Sequence, residues 1–442
     1  MRFTNKDLKN MIIPLFFEQL LVMLVGIADT LVISYAGEAA VSGVSLVNQF
    51  NTIFIYIFTA LASGGAVVVS QYIGSGDMEH AEKSSSQLLM FSILLSLFIG
   101  ALVIIGNRTM LGLLFGKVED SVMEACVTYL RISAYSYPAL AVYNAGAAIY
   151  RSLGKTKVTM YISVLANIIN VVGNLIGVFV LKAGVAGVAY PSLIARVFSA
   201  VVITILCFRQ SAELHYQTKW ILAWDVGMLK KILNIAVPNG VENGLFQLVK
   251  VALSSIVALF GTYQIAANGV AQSIWSLAAL MGVAMSSAFI PVIGQCMGAD
   301  DTDEAEYYFK KLMKITVIAS VAWNAIILAA TPLMMMVYDL STETKRLVIW
   351  LVVIHNAFNA FAFPFSGPLS AGLRAAGDVK FTMVVTVIST IGIRLLLSVL
   401  LGMILDMGVI GIAFAMCADW LFRAVLFGIR LRKGTWKQFK VI

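Results

Sequence analysis

Asp29 stands fifteen residues after Pro14 in a largely apolar run from Met11 to Ser34. On a helix that separation is about 22 Å at 1.5 Å per residue, which carries a carboxylate well into an apolar layer. A carboxylate at that depth can exchange a proton or bind Na⁺, because burial and neighbouring groups decide whether it is charged. The plainer reading is that Asp29 lies near the end of its helix and is solvated. Farther along, Asn167, Asn170 and Asn174 recur at i, i+3 and i+7 and so share one stripe of a helix. Amide oxygens suit a hard cation and amide NH₂ groups hold a carboxylate. The alternative for this stripe is ordinary interhelical hydrogen bonding, worth about 0.6 kcal/mol per contact.

Other polar residues sit in apolar surroundings. Glu18 and Glu242 each follow a proline, Pro14 and Pro238, by one turn. Proline leaves a carbonyl without its N–H partner and allows a helix to bend, so Pro14 and Pro238 are candidate gating points. Glu18 and Glu242 could line a cavity or be interfacial acids. Arg131, Arg196, Lys250, Arg394 and Arg423 also fall within apolar runs, with Asp419 four residues before Arg423 and able to neutralise it. His355 is either a titrating wall residue or a hydrogen-bonded core histidine. Together Glu18, Asn167, Glu242, Gln247 and His355 are the candidate cavity residues. The aromatic and Met residues Phe358, Phe361, Phe363, Met281 and Met285 read as packing.

The elements that must position these groups follow from composition. Of 442 residues, 60% are hydrophobic and 12% charged, with a mean hydropathy of +0.90. A soluble domain carries about 25% charged residues, so this chain has half the usual supply for a wet surface. Its apolar blocks are each long enough to cross a hydrocarbon core of about 30 Å. They predict twelve transmembrane helices, over 11–34, 44–72, 86–106, 122–148, 158–181, 188–208, 233–259, 265–293, 312–337, 347–371, 382–405 and 409–430. The basic N-terminus with its apolar run superficially resembles a signal peptide, but the run is too long and holds Glu18 and Asp29, so it is expected to be the first span.

With both termini cytoplasmic, inner loops and tails hold 21 Lys and Arg against 5 in outer loops. The positive-inside rule selects that orientation in a cytoplasmic (inner) membrane. The net charge of +8 is therefore spread through loops, and no nucleic-acid partner is expected. Cys126, Cys207, Cys296 and Cys417 have no CxxC spacing and read as buried hydrophobes, so no structural metal is expected.

Shifting the chain on itself by 224 positions brings Pro14 onto Pro238, Glu18 onto Glu242, Gly37 onto Gly261, Gln71 onto Gln295 and Asp77 onto Asp301. With one residue of slip, Arg151-x-x-Gly154-x-x-Lys157 falls on Arg374-x-x-Gly377-x-x-Lys380, and Gly184-Val185-x-Gly187 then falls on Gly408-Val409-x-Gly411. Six spans per copy give both copies the same orientation. That predicts a parallel repeat about an axis along the membrane normal, as in two-lobed secondary transporters: an N-lobe at 1–209, a cytoplasmic linker at 210–231 and a C-lobe at 232–442.

Pro14 with Asp29, the run Gln71-Tyr-Ile-Gly74-x-Gly-Asp77-x-x-x-Ala81-Glu82, Asn170, and Gly184-Val-x-Gly187 resemble the multidrug and toxic compound extrusion (MATE) transporters over the whole chain. The resemblance implies that the first-helix Asp29 serves ion coupling, assisted by Asn170, Asn174 and Ser192. Asn174 stands where relatives often have aspartate, and Gln247 stands near an acid of some relatives' seventh helix. No GxxxxGK[ST] motif is present, so energy is expected from H⁺ or Na⁺, with transient Na⁺ at Asp29 and no other cofactor. The expected activity is antiport of a small organic molecule by alternating access, by a monomer in the lipid bilayer. The alternatives are a lipid-linked saccharide flippase of the same superfamily, which the intramembrane arginines would suit, and an intramembrane enzyme. No HExxH, GxSxG or Cys/His cluster supports the last.

Overall fold

The computed structural model describes residues 1–442, and every regular element in it is helical. The first six-helix set is α1 (Asn5–Ser34), α2 (Glu38–Ser75), α3 (Met78–Phe115), α4 (Asp120–Tyr135 and Tyr137–Ser152), α5 (Thr156–Leu175, then Ile176–Val180) and α6 (Ala186–Phe208). The second is α7 (Val226–Val257), α8 (Thr262–Ala278 and Leu280–Gly298), α9 (Thr302–Met335), α10 (Thr342–Phe361, Phe363–Ser366 and Pro368–Ala375), α11 (Val379–Ile388, Ser389–Leu395 and Ser398–Ile404) and α12 (Val409–Lys433). The twelve-helix, all-α membrane architecture read from the sequence is the one observed.

Several helices depart from simple rods, and each departure has a local cause. Nine are long and apolar enough to span a membrane, and α10 makes a tenth if its two arms, bent by 51°, count as one. The bend falls just before Pro364, which cannot donate to the helix ladder. The break in α4 at Ser136 precedes Pro138 and leaves two arms of 16 residues, each too short to cross alone. In α7, Asn239, Glu242, Asn243 and Lys250 dilute the apolar character. α2 and α3, of 38 residues each, run beyond the spans expected at 44–72 and 86–106. Asp77 caps α3 by accepting from His80 N–H at 3.1 Å, and its repeat mate Asp301 caps α9 by accepting from Glu304 N–H at 2.9 Å. Gly37 and Gly261 are likewise repeated for a backbone reason: each precedes a helix with φ near +100°, a conformation that L side chains rarely adopt.

The chain forms two compact units, Lys9–Gly240 and Met1–Leu8 with Val241–Ile442. These boundaries differ from the lobes expected at 1–209 and 232–442. The segment 210–240 belongs with the first unit because polar groups of α3 hold it. The Gln87 side chain donates to the carbonyls of Trp220 and Ala223 and accepts from Asp225 N–H, while Lys83 pairs with Asp225. The start of α7 packs closely on α2, where a Cβ on Gly64 would lie 2.8 Å from Ala236 N. Met1–Leu8 belongs with the second unit, where Phe3 N–H donates to the Tyr308 hydroxyl and the Phe3 carbonyl accepts from it, both at 2.8 Å.

Each unit has its own apolar core, one around Val47, Leu130 and Tyr137 and the other around Ala271, Leu351 and Ala413. Lipid tails are as apolar as leucine, so helix association in a membrane relies on close approach and interhelical hydrogen bonds. Both are present. A Cβ on Gly187 would meet the Gly177 carbonyl at 2.5 Å, and one on Gly411 would meet Gly402 N at 2.7 Å. These repeated contacts lock α5 to α6 and α11 to α12. The four cysteines are buried and free, as their spacing indicated.

Candidate functional site

Asp29 is half-buried on α1, facing α5. Asn170 Nδ2 donates to Asp29 Oδ1 and Oδ2 at 3.2 and 3.1 Å, and Asn174 Nδ2 donates to Oδ1 at 2.5 Å. Ser192 of α6 donates to Asn170 Oδ1 at 3.1 Å. Hydrogen bonds spanning up to 145 positions therefore join these residues in one polar cluster. The i, i+4 spacing of Asn170 and Asn174 puts both amides on the same carboxylate, and the Gly177–Gly187 contact sets the α5–α6 distance that Ser192 must bridge. Asn174 Oδ1 is buried with no partner. An unpartnered amide oxygen beside a carboxylate is a donor set that fits a hard cation.

The cluster borders a cavity of about 350 Å³. Asp29, Asn167, Asn170 and Ser192 line it, together with Tyr143 and Arg196. Asn167, the third amide of the stripe, does not reach Asp29, and its Nδ2 is buried without an acceptor. Arg196 donates to Ser136 Oγ at 2.6 Å, in the break of α4. Tyr143 was not evident beforehand, because nothing in a tyrosine on an apolar helix marks which face it presents.

Four expected cavity residues are placed otherwise. Glu18 is 4% exposed and pairs with Arg151 at 2.8 Å, also accepting from Thr159 at 3.2 Å. Glu242 is 7% exposed and pairs with Arg374 at 3.0 Å. A carboxylate removed from water requires a counter-charge, and the repeated Arg151 and Arg374 supply it within each unit. The duplication of both partners was the available signal for this pairing. His355 is a core histidine: its ring stacks on Trp275 at 5.1 Å, packs edge-on against Trp420 and bonds to Asn356 Oδ1 at 3.0 Å. Gln247 is half-buried and lies outside the walls of both cavities described for the two units. Pro14 and Pro238 lie inside α1 and α7, which remain continuous helices through them. Asp419 pairs with Arg423 at 2.8 Å, as their spacing suggested, and also with Arg394 at 3.4 Å.

The profile of the MatE family matches residues 14–176 and again 238–400. The chain belongs to the MatE family. The two matches are displaced by 224 positions, the same offset that aligns Pro14 with Pro238, so each six-helix set carries one copy of the family unit. Among MatE relatives, the uncharacterized transporter YisQ of Bacillus subtilis is 28% identical over 96% of this chain and 93% of its own length. The probable multidrug resistance protein NorM of Thermotoga maritima is 22% identical over 99% and 94%.

Solved structures share the fold. A multidrug resistance MATE family transporter of the MOP superfamily, in an outward-facing conformation, has a TM-score of 0.88 at 20% identity, covering 97% of this chain and 96% of that one. A MOP superfamily transporter from Pyrococcus furiosus, whose reversed pocket polarity was taken to suggest a different function, has a TM-score of 0.91 at 19% identity, covering 98% and 97%. As a MATE family transporter, the protein is a multi-pass membrane protein that handles a small-molecule substrate.

Proposed function

We propose that this MATE family member is an ion-coupled antiporter that exports amphipathic small organic molecules across the cytoplasmic membrane. The observation that carries this reading is the Asp29 carboxylate, held by Asn170 and Asn174 at the wall of a cavity of about 350 Å³. The similarity to probable multidrug resistance proteins supports the drug-like substrate class. The coupling ion is H⁺ or Na⁺. A proton would be carried on Asp29 itself. Na⁺ would be held by Asp29, the Asn174 amide oxygen and, after rotation of its amide, Asn170, with Ser192 orienting that amide.

Exchange follows if ion and substrate favour different states, because a ligand shifts a conformational equilibrium only by its differential affinity. Pro14 and Pro238 are the proposed bending points for alternating access with both termini cytoplasmic, the protein acting as a monomer. Vesicles containing the purified protein and a cationic dye, given a proton gradient alone or a sodium gradient alone, test the reading. Dye movement driven by one of them supports it, and dye movement indifferent to both overturns it.

A further inference from the structure

The duplication allows the two units to be compared position by position. A second cavity, of about 320 Å³, lies in the unit formed by α7–α12. It is walled by the first, second, fifth and sixth helices of its set, which also wall the Asp29 cavity together with Leu140 and Tyr143 of the fourth. The shift of 224 places Leu253 at the position of Asp29 and Lys250 at that of Gly26. Arg394 falls within one residue of the counterpart of Asn170. Lys250, Leu253 and Arg394 all line the second cavity, and no carboxylate does. The position that holds the acid in one lobe is thus apolar in the other, where two cations flank it.

The charges of this cavity are only partly neutralised from behind. Lys250 forms no ion pair, whereas buried Asp419 is shared between Arg423 at 2.8 Å and Arg394 at 3.4 Å. Lys250 thus has no counter-charge, and Arg394 shares the one it has. Cations within a membrane span are costly, and those that persist mark sites that use them. Arg394 lies in the wide turn Ser389–Leu395, where each hydrogen-bonded ring holds an extra residue. The repeat offset grows by one residue between Met160–Met383 and Gly184–Gly408. α5 has no wide turn before Ile176, so the Ser389–Leu395 turn accommodates the additional residue of α11.

A second observation points to a ligand. Trp275 lines the cavity, is 5% exposed, and its indole N–H has no acceptor. Indole nitrogen can only donate, so the group that completes it must be an acceptor. The remaining wall is suited to the organic part of a ligand: the Phe246 ring lies 4.8 Å from the Arg394 guanidinium, with Val257 and Met416 alongside, while Gln272 and Ser276 add hydrogen-bonding groups.

We propose that the cavity of the second lobe binds an amphipathic organic anion, its carboxylate, sulfonate or phosphate set between Lys250 and Arg394 and its apolar part against Phe246 and Trp275. This rests on the antiporter reading for its consequence, namely that the exported molecules include anions. The binding itself needs no gradient.

The test is calorimetric titration of the full-length protein in detergent with naphthalene-2-sulfonate and with the trimethylammonium derivative of the same ring. The sulfonate is expected to bind saturably and at least tenfold more tightly. Lys250→Gln should weaken it tenfold or more, and Leu253→Asp should reverse the preference. Arg394→Gln is expected to act similarly, but it also removes one of the two cations on buried Asp419 and can fail to fold. Lys250→Gln, at a residue without an ion pair, keeps the question decidable.

Equal or tighter binding of the ammonium compound would overturn the proposal, as would a sulfonate affinity within twofold of wild type in Lys250→Gln. Displacement of the sulfonate by a free aromatic carboxylate assigns the site to soluble anions, and displacement only by phosphatidylglycerol assigns it to an anionic lipid headgroup. Either keeps the anion site, and displacement by neither rejects it. Because no ion gradient enters, failure here leaves the Asp29 reading standing, and failure of Asp29-dependent export leaves this site standing.

Discussion

Glu18 Oε1 and Arg151 Nη2 meet at 2.8 Å although 133 residues separate them in the chain. The same contact recurs between Glu242 and Arg374 at 3.0 Å across 132 residues. Each joins the first helix of a six-helix set to the end of the fourth, one turn beyond a proline. The proline that weakens the helix ladder is thus followed by an ion pair that holds the helix in place.

Breaking this pair leaves a buried charge without its partner, which costs about 3–5 kcal/mol. Arg151→Met is therefore expected to lower thermal stability in detergent markedly. The double variant Glu18→Met with Arg151→Met should recover much of the loss, since apolar replacement of a buried pair is often neutral. A double variant as unstable as the single one would show that the charges do more than neutralise each other.

Asp29→Asn keeps size and hydrogen bonding but cannot gain or lose charge. Gradient-driven export should fall at least a hundredfold, while the purified variant stays folded and monodisperse. Full ion-driven transport by Asp29→Asn would remove Asp29 from the coupling assignment. Asn174→Leu, which deletes one donor to the carboxylate and the unpartnered oxygen together, is expected to raise the ion concentration needed for half-maximal export about tenfold.

Pro14→Ala restores the hydrogen bond that proline denies to the helix. If bending of α1 accompanies transport, turnover should fall severalfold with expression near normal. An unchanged turnover would leave Pro14 without a gating role.

Gly177→Ala places a methyl group against the Gly187 backbone carbonyl, an atom that cannot move aside without shifting a helix. The expected result is low yield of folded protein, with Gly26→Ala, which meets nothing within 4 Å, as the control. Equal yields would show that α5 and α6 can separate freely.

Lys83 and the Met228 N–H hold the Asp225 carboxyl below the usual carboxylate range. A carboxyl lowered in the folded protein stabilises it above the ordinary pKa, and that contribution disappears as pH falls through the lowered value. At pH 7, Asp225→Asn should therefore expose the segment 210–225 to faster proteolysis than in wild type. The difference should shrink as pH is taken below about 3.8, the ordinary aspartate value. A pH-independent difference would assign the effect to the hydrogen bonds alone.

Hydropathy, loop charge and the 224-residue repeat made the twelve helices legible in the sequence, because a bilayer dictates the length and polarity of anything that crosses it. The spacing of Asn170 and Asn174 also announced a shared face, since the helical period is local. Partner choice was not local. Whether Glu18 faced a cavity or Arg151, whether His355 faced a cavity or lay between Trp275 and Trp420, and what the linker segment 210–231 packs against all depended on which helices pack together. Hydrophobic periodicity says which side of a helix is buried but not what it is buried against. Likewise the wide turn at Ser389–Leu395, which carries Arg394 at the cavity wall beside Lys250, left only a one-residue slip in the repeat as its trace in the sequence. Tertiary structure decided these points because each contact joins residues brought together only by close helix packing, as the glycine contacts at Gly177 and Gly411 permit.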